Sequence, residues 1–231
     1  MIAWGGDGTV NEVGAALVGG EASLAIVPAG SGNGLALALG IPREPAAALR
    51  HAVGAQSRRI DVGEIGGRLF LNIAGIGFDA RIADRFAREG GRRGLRRYAV
   101  MVARELFTYR AEPCQLTVDG CVREHRSVLL VIANGPQWGN GARIAPHARL
   151  DDGLLDVVSV SARSPFRVAW YLPRLFTGTI DRVPGVTTER LASLEITGRP
   201  PLTFHVDGNP ARSDTGRLGV SVHPGALAVR A

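Results

Sequence analysis

Twice near its start the chain passes from a short apolar run through a glycine-rich turn into a helix-compatible segment. Gly5-Gly6-Asp7-Gly8-Thr9-Val10-Asn11-Glu12-Val13 follows Met1 to Trp4, and Ala29-Gly30-Ser31-Gly32-Asn33-Gly34 follows Leu24-Ala25-Ile26-Val27-Pro28. Successive strand, turn and helix units of this kind build a parallel sheet with both turns at one edge, where open α/β sheets bind ligands. Glycines there let backbone N–H groups approach phosphate oxygens, and the following helix N-terminus adds a favourable partial charge. A carboxylate repels phosphate, so Asp7 has two functional readings. It holds a divalent cation that bridges to the phosphates, or it accepts a proton from an attacking hydroxyl. The purely structural alternative is a tight turn in which Asp7 or Thr9 caps the helix and Glu12 faces solvent.

Spacing and composition remove several phosphate-binding classes. A dinucleotide fingerprint beginning at Gly30 needs glycine where Leu35 stands, and a Walker loop needs lysine. All 27 basic residues are arginine, which also excludes a Schiff-base lysine and the strand lysine of protein kinases. A net charge of +6 favours anionic partners in general. No aromatic stacking stretch with interleaved basic residues marks a nucleic-acid binder, so no nucleic-acid partner is expected.

The organisation changes near residue 57. Residues 1–56 read as α/β, with helices at Val10 to Leu17, Gly34 to Leu39 and Pro45 to Val53. In residues 57–231, β-branched runs dominate: 59–65, 69–75, 115–118, 127–133, 155–160, 192–196, 202–206 and 218–222, a pattern of mainly antiparallel sandwich or barrel. Two helices interrupt it, at about Asp79 to Arg88 and Leu95 to Tyr109. The second begins with Arg92, Arg93, Arg96 and Arg97 and carries Tyr98, Val102, Leu106 and Tyr109 at helical spacing. That stripe reads as core-facing, with the arginines as contacts for an anionic membrane surface. Cys114 and Cys121 flank a hairpin turn at Asp119-Gly120. Pairing Val118 with Cys121 sets Cys114 opposite His125, so the thiols do not face each other and reduced cysteines of a cytoplasmic protein are expected. The five histidines show no metal-ligand spacing. No apolar stretch has the length of a membrane span, and because Met1 leads straight into the glycine turn no signal peptide is expected.

With these motifs in order, the sequence resembles the catalytic domain shared by diacylglycerol kinases, sphingosine kinases and bacterial lipid kinases. The residues that carry the resemblance are Gly5-Gly6-Asp7-Gly8-Thr9, Pro28-Ala29-Gly30-Ser31-Gly32-Asn33, Arg59-Ile60-Asp61-Val62-Gly63, Phe70 to Asp79, and Asp151-Asp152-Gly153-Leu154-Leu155-Asp156-Val157. It implies a Rossmann-like α/β nucleotide domain (residues 1–56) ahead of a β-rich antiparallel lipid-binding domain (57–231). The implied reaction is ATP- and magnesium-dependent phosphoryl transfer to the hydroxyl of a diacylglycerol-like or sphingoid lipid, with peripheral membrane association.

The implied nucleotide contacts are Gly5, Gly6, Gly8, Thr9, Asn11, Glu12, Gly30, Ser31, Gly32 and Asn33. The implied magnesium ligands are the Asp152 carboxylate with the carbonyls of Arg149 and Leu154, a hard-oxygen set suited to that ion. Two departures stand out. Family members begin with further strand and helix units, so this chain is expected to lack the first part of the nucleotide domain. A late strand in the family carries D-G-E, whose glutamate is taken as the base; here the run is Val206-Asp207-Gly208-Asn209. An amide has no useful basicity, which leaves Asp7 or Asp207 to take the proton. The alternatives are a catalytically impaired fragment, a lipid-binding pseudokinase, and an NAD kinase, which shares G-G-D-G-T. Acceptor identity and oligomeric state are not legible.

Overall fold

The computed structural model describes residues 1–89, 101, 102, 104, 105, 108–161 and 165–231. Strands β1 (Ile2–Gly5) and β2 (Ala25–Pro28) pair in parallel, from Ile2 against Ala25 to Gly5 against Pro28, with α1 (Asp7–Leu17) crossing between them. Helices α2 (Gly34–Ala38) and α3 (Pro45–Gly54) follow. Glu44 caps α3 by accepting the amide hydrogens of Ala46 and Ala47 at 2.9 and 2.6 Å, with Pro45 at the first helical position. The cap expected for α1 differs. Gly6 is its N-cap and makes no side-chain bond, because the Asp7 carboxylate turns away from its own helix to the second glycine turn.

The remaining elements are β3 (Ser57–Ile65), β4 (Arg68–Phe70), β5 (Ile73–Gly77), α4 (Phe78–Glu89), β6 (Cys114–Val118), β7 (Cys121–His125), β8 (Leu129–Ala133), β9 (Leu155–Val160), α5 (Pro165–Thr177), β10 (Val186–Leu191), β11 (Ser193–Thr197), β12 (Leu202–Val206), β13 (Asn209–Ser213) and β14 (Arg217–Arg230). They form two antiparallel six-stranded sheets, ordered β10-β9-β8-β5-β12-β13 and β4-β3-β14-β11-β6-β7. Phe70, Ile132, Leu155, Ile196 and Phe204 fill the space between the sheets, the alternate inward positions that sandwich strands bury. On the outer face of the first sheet, Tyr171 and Leu175 of α5 pack onto Val131, Val158 and Val160.

The α/β portion and the sandwich share a core. Leu24 bridges in parallel to Val229 of β14, donating its N–H to Ala228 O and accepting from Arg230 N, both at 2.8 Å. Val10 and Leu35 of the α/β part are buried together with Ile60 and Val62 of β3 and Leu227 of β14. Strand β3, just past residue 57, therefore contributes to the same apolar cluster as the residues before it.

The thiol geometry expected from the hairpin is found: Val118 opposes Cys121, Cys114 opposes His125, and both cysteines are free. Three expectations need amendment. The run 69–75 splits into β4 and β5 at Leu71-Asn72. The last strand extends to Arg230, with a register shift between His223 and Leu227. Helix α5 was not anticipated; its aromatic and β-branched composition and internal Pro173 hid a helix whose apolar residues cover more than one face. Arg92, Arg93, Arg96, Arg97, Tyr98 and Leu106 lie outside the described residues; Met101, Val102 and Tyr109 pack on Phe78 and Ile82 of α4, or against that cluster.

One buried carboxylate joins the layers. Asp207 and Gly208, at φ 46° and 83°, form the two-residue turn between β12 and β13 that an Asp-Gly pair favours. Asp207 Oδ2 accepts hydrogen bonds from Asn11 Nδ2 and Leu71 N at 2.8 Å each, and Oδ1 from Asn72 N at 3.1 Å and Ile73 N at 2.9 Å. These donors come from α1 and from the corner between β4 and β5. Asp207→Ala leaves all four unpartnered, at about 1–3 kcal/mol for each buried unsatisfied group. We expect a loss of roughly 3 kcal/mol or more in urea unfolding, whereas Asp119→Ala, in the exposed β6–β7 turn, changes stability far less.

Candidate active site

The two glycine turns touch. A Cβ on Gly6 would stand 3.0 Å from the Cα of Gly30, closer than side chains normally come to backbone, so glycine at both positions is a condition of the contact. Asn33, at φ 55°, locks the second turn from within: its Oδ1 accepts from Gly30 N at 2.9 Å and its Nδ2 donates to Gly30 O at 2.8 Å. The segment 137–143 backs this turn, with Asn140 N donating to Gly32 O and Asn140 Nδ2 to Ser31 O. Among the described residues, the amide hydrogens of Gly8 and Thr9 at the start of α1, and of Ser31 and Gly32, have no acceptor. Both turns thus present free donors at the end of β1 and β2, the arrangement that accepts phosphate oxygens.

Asp7 sits at the junction. Its Oδ2 accepts from Asn33 N at 2.8 Å and its Oδ1 from Gly34 N at 2.7 Å. Burial pushes its carboxyl above the ordinary aspartate range, the charge of Asp207 pushes further in the same direction, and the backbone donors pull back. Burial also raises the Asp207 carboxyl against the pull of its four donors. The two carboxylates differ in free capacity: Asp207 has two donors on each oxygen, whereas Asp7 has one close donor on each, with the Leu35 amide as a further backbone donor, and is the less saturated of the two. Asn209 lies against the start of α1, its amide 3.5 Å from the position a Cβ on Gly8 would take.

The other expected nucleotide contacts divide by environment. Thr9 is exposed and its side chain packs over Gly5; Ser31 and Glu12 are also exposed. Asn11 is buried, and its amide nitrogen is spent on Asp207 and on Leu69 O at 3.1 Å, so it faces the interior rather than the turn surface.

The Asp151-Asp152-Gly153 turn lies on the far side of β3 from these residues in sequence and is built differently. Asp152 Oδ1 accepts from Leu154 N at 3.1 Å, and Oδ2 pairs with the Arg190 guanidinium, which also stands 4.0 Å from Asp156. Burial raises the Asp156 carboxyl, and Arg190 counters it. Among the described residues, no three acidic, histidine or cysteine side chains converge on a metal position. With a guanidinium already neutralising Asp152, the set of Asp152 and the carbonyls of Arg149 and Leu154 does not fit a resident magnesium ion as it stands.

Two buried polar groups escaped the sequence reading. Asp61, 2% exposed, accepts from Gly153 N and Gly225 N at 2.7 Å each and pins the acidic turn to β14. His205 and Asp79 form a second pair: His205 Nδ1 accepts from Gly208 N at 3.3 Å, so Nε2 carries the hydrogen that Asp79 Oδ2 accepts at 3.1 Å. The available signal was an acid inside a strand buried on both faces, as in Arg59-Ile60-Asp61-Val62-Gly63. Such an acid is paired with donors or costs several kcal/mol.

Comparison with known proteins agrees with this architecture. Residues 1–65 match the diacylglycerol kinase catalytic domain family, and residues 72–231 match the YegS C-terminal NAD kinase beta sandwich-like domain. Proteins named "probable lipid kinase YegS-like" are 36% identical over 232 residues in Pseudomonas aeruginosa and 35% identical over 240 residues in Pseudomonas fluorescens. Each alignment covers 99% of this chain, and 75% and 76% of the respective relative. In fold, the crystal structure of a Bacillus anthracis diacylglycerol kinase superposes with TM-score 0.71 at 22% identity, covering 99% of this chain and 75% of that one. An Archaeoglobus fulgidus NAD kinase solved with ATP superposes with TM-score 0.52 at 14% identity, covering 100% and 76%. These matches span the α/β portion and the sandwich alike, and the chain belongs to the family of YegS-like lipid kinases that carry the diacylglycerol kinase catalytic domain.

Proposed function

We propose that the chain transfers the terminal phosphoryl group of ATP to the hydroxyl of a diacylglycerol-like or sphingoid lipid, and that Asp7 takes the hydroxyl proton. The observation that carries this reading is the position of Asp7 where the two turns meet, beside unpartnered amides of both. In the proposed step the lipid oxygen bonds to the terminal phosphorus, the bond from that phosphorus to the bridging oxygen breaks, ADP leaves, and the hydroxyl proton passes to Asp7. The amides of Gly8, Thr9, Ser31 and Gly32 hold the phosphates; such transfer depends mainly on positioning and charge stabilisation. Asp207 is a positioning residue, since its oxygens are fully engaged by four donors. Asn209 supplies a neutral amide near the acceptor in place of a base. A divalent ion enters as the counter-ion of ATP, as part of the nucleotide substrate. The sandwich is the lipid-binding portion, and association with the membrane is peripheral.

Three outcomes test this. With ATP, magnesium and a detergent-dispersed panel of diacylglycerol, ceramide and sphingoid acceptors, the protein forms a phosphorylated lipid. Asp7→Asn lowers kcat by about 10² to 10⁴, the usual contribution of a general base. Absence of product from every lipid, or phosphorylation of NAD instead, refutes the proposal.

The pH profile is the second. A base acts deprotonated, so kcat/KM falls with acidity through a value above the ordinary aspartate range, because burial and then the Asp207 charge raise Asp7. Removing that charge in Asp207→Asn moves the acidic limb to lower pH. A limb that stays in place shows that Asp7 is not the titrating group.

The third concerns metal. Because Arg190 occupies the Asp152 carboxylate, magnesium alone leaves the thermal midpoint of the nucleotide-free protein unchanged, and magnesium with ATP raises it. A rise with magnesium alone that disappears in Asp152→Asn establishes a resident metal site.

A further inference from the structure

The C-terminal half of α5 is apolar on its outer side as well as its inner side. Tyr171 and Leu175 face the sheet, whereas Trp170 is 73% exposed, Phe176 58% and Leu172 43%, with Pro173 also exposed between them. A contiguous exposed apolar face of this kind marks an interaction surface, and no described residue covers it.

Charge indicates what does. Arg143, Arg174 and Arg182 lie at or beside the C-terminal end of α5, and none makes an ion pair among the described residues. Arg143 is tied there by its N–H to Leu175 O at 2.8 Å, and its side chain runs beside Gly178. The nearby Asp181 is held by His147 at 3.4 Å. Exposed tryptophan, phenylalanine and leucine flanked by unpaired arginines form the pattern of an interfacial helix on an anionic bilayer, with the rings among the acyl chains and the guanidinium groups at the headgroups. The same segment reaches the candidate active site. Four residues before Arg143, Gly139 bridges Asn33 of the second glycine turn, a span of at most about 14 Å.

We propose that the outer face of α5, formed by Trp170, Leu172 and Phe176 with Arg143, Arg174 and Arg182 around it, seats the protein on an anionic phospholipid surface. This rests on the lipid-kinase reading for its purpose, since it brings the glycine turns to within one short loop of the surface that holds the acceptor. It assigns membrane contact to α5.

The test uses the full chain with Trp4→Phe and Trp138→Phe, leaving Trp170 as the reporter. Vesicles of phosphatidylcholine with about a third phosphatidylglycerol are expected to shift its emission to the blue, and brominated acyl chains to quench it. In sedimentation, Trp170→Ser with Phe176→Ser weakens partition at least about tenfold, and Trp170→Phe largely restores it. Phosphorylation of a detergent-dispersed acceptor by the serine and phenylalanine variants at positions 170 and 176 equals that of the same Trp4→Phe, Trp138→Phe background, because positions 170 and 176 lie on α5 and touch neither turn. Equal partition of the double serine variant overturns the proposal. So does a vesicle-free dimer that buries Trp170, which gives the face to a second copy instead. Vesicle binding through Trp170 without lipid phosphorylation supports this face and refutes only the kinase reading.

Discussion

Four hydrogen bonds to one carboxylate hold the site in register. Asp207 stands in a tight hairpin turn at one end of the sandwich and gathers donors from α1 and from the corner that separates β4 and β5. Without that anchor, the polar tie of α1 to the sandwich at this point is reduced to the bond from Asn11 Nδ2 to Leu69 O, and the first turn of α1 carries both Asp7 and Gly8. Burying the anion is costly, and the donors offset the cost only as a complete set. The arrangement is therefore sensitive: losing one donor leaves a buried charge short of partners, and losing the charge leaves four donors stranded.

The same anchor sets the chemistry beside it. Its negative charge adds to burial in raising Asp7, which moves that carboxyl toward the range useful to a general base while its backbone donors pull the other way. Two nearby acids in different surroundings thereby acquire different duties in the proposed reaction: one saturated and structural, one less saturated and seated where the two glycine turns meet. Asn209 fits this division, since a third carboxylate next to Gly8 would add repulsion to a pair already strained by proximity. At the acidic turn held against the middle of β3 by Asp61, Arg190 performs for Asp152 and Asp156 the charge balance that a metal ion provides in other acidic turns.

Local features were legible in the chain and distant ones were not. The glycine turns, the parallel pair β1 and β2 and the Asp119-Gly120 hairpin register follow from neighbouring residues and their φ requirements. The partners of Asp207 lie 134 to 196 positions away, so nothing near Val206-Asp207-Gly208-Asn209 signals that its carboxylate is consumed. Asn11 reads as a turn residue, yet its amide belongs to that distant lock. Helix α5 escaped recognition because Pro173 interrupts it and its apolar residues spread well beyond the stripe that Tyr171 and Leu175 bury, leaving only a narrow polar side in the sequence pattern, at Arg167 and Arg174. The exposed apolar residues Trp170, Leu172 and Phe176 are the signature of the proposed membrane face.

Backbone amide NMR titration with ATP and magnesium examines the central claim most directly, namely that phosphates rest on the joined glycine turns. The account predicts large shifts at Gly8, Thr9, Ser31 and Gly32, with Asn33 and Gly34 following through Asp7, and little change at Leu154 or Asp156. Nucleotide-induced shifts concentrated at the acidic turn around Asp152, with the glycine turns unmoved, would contradict it.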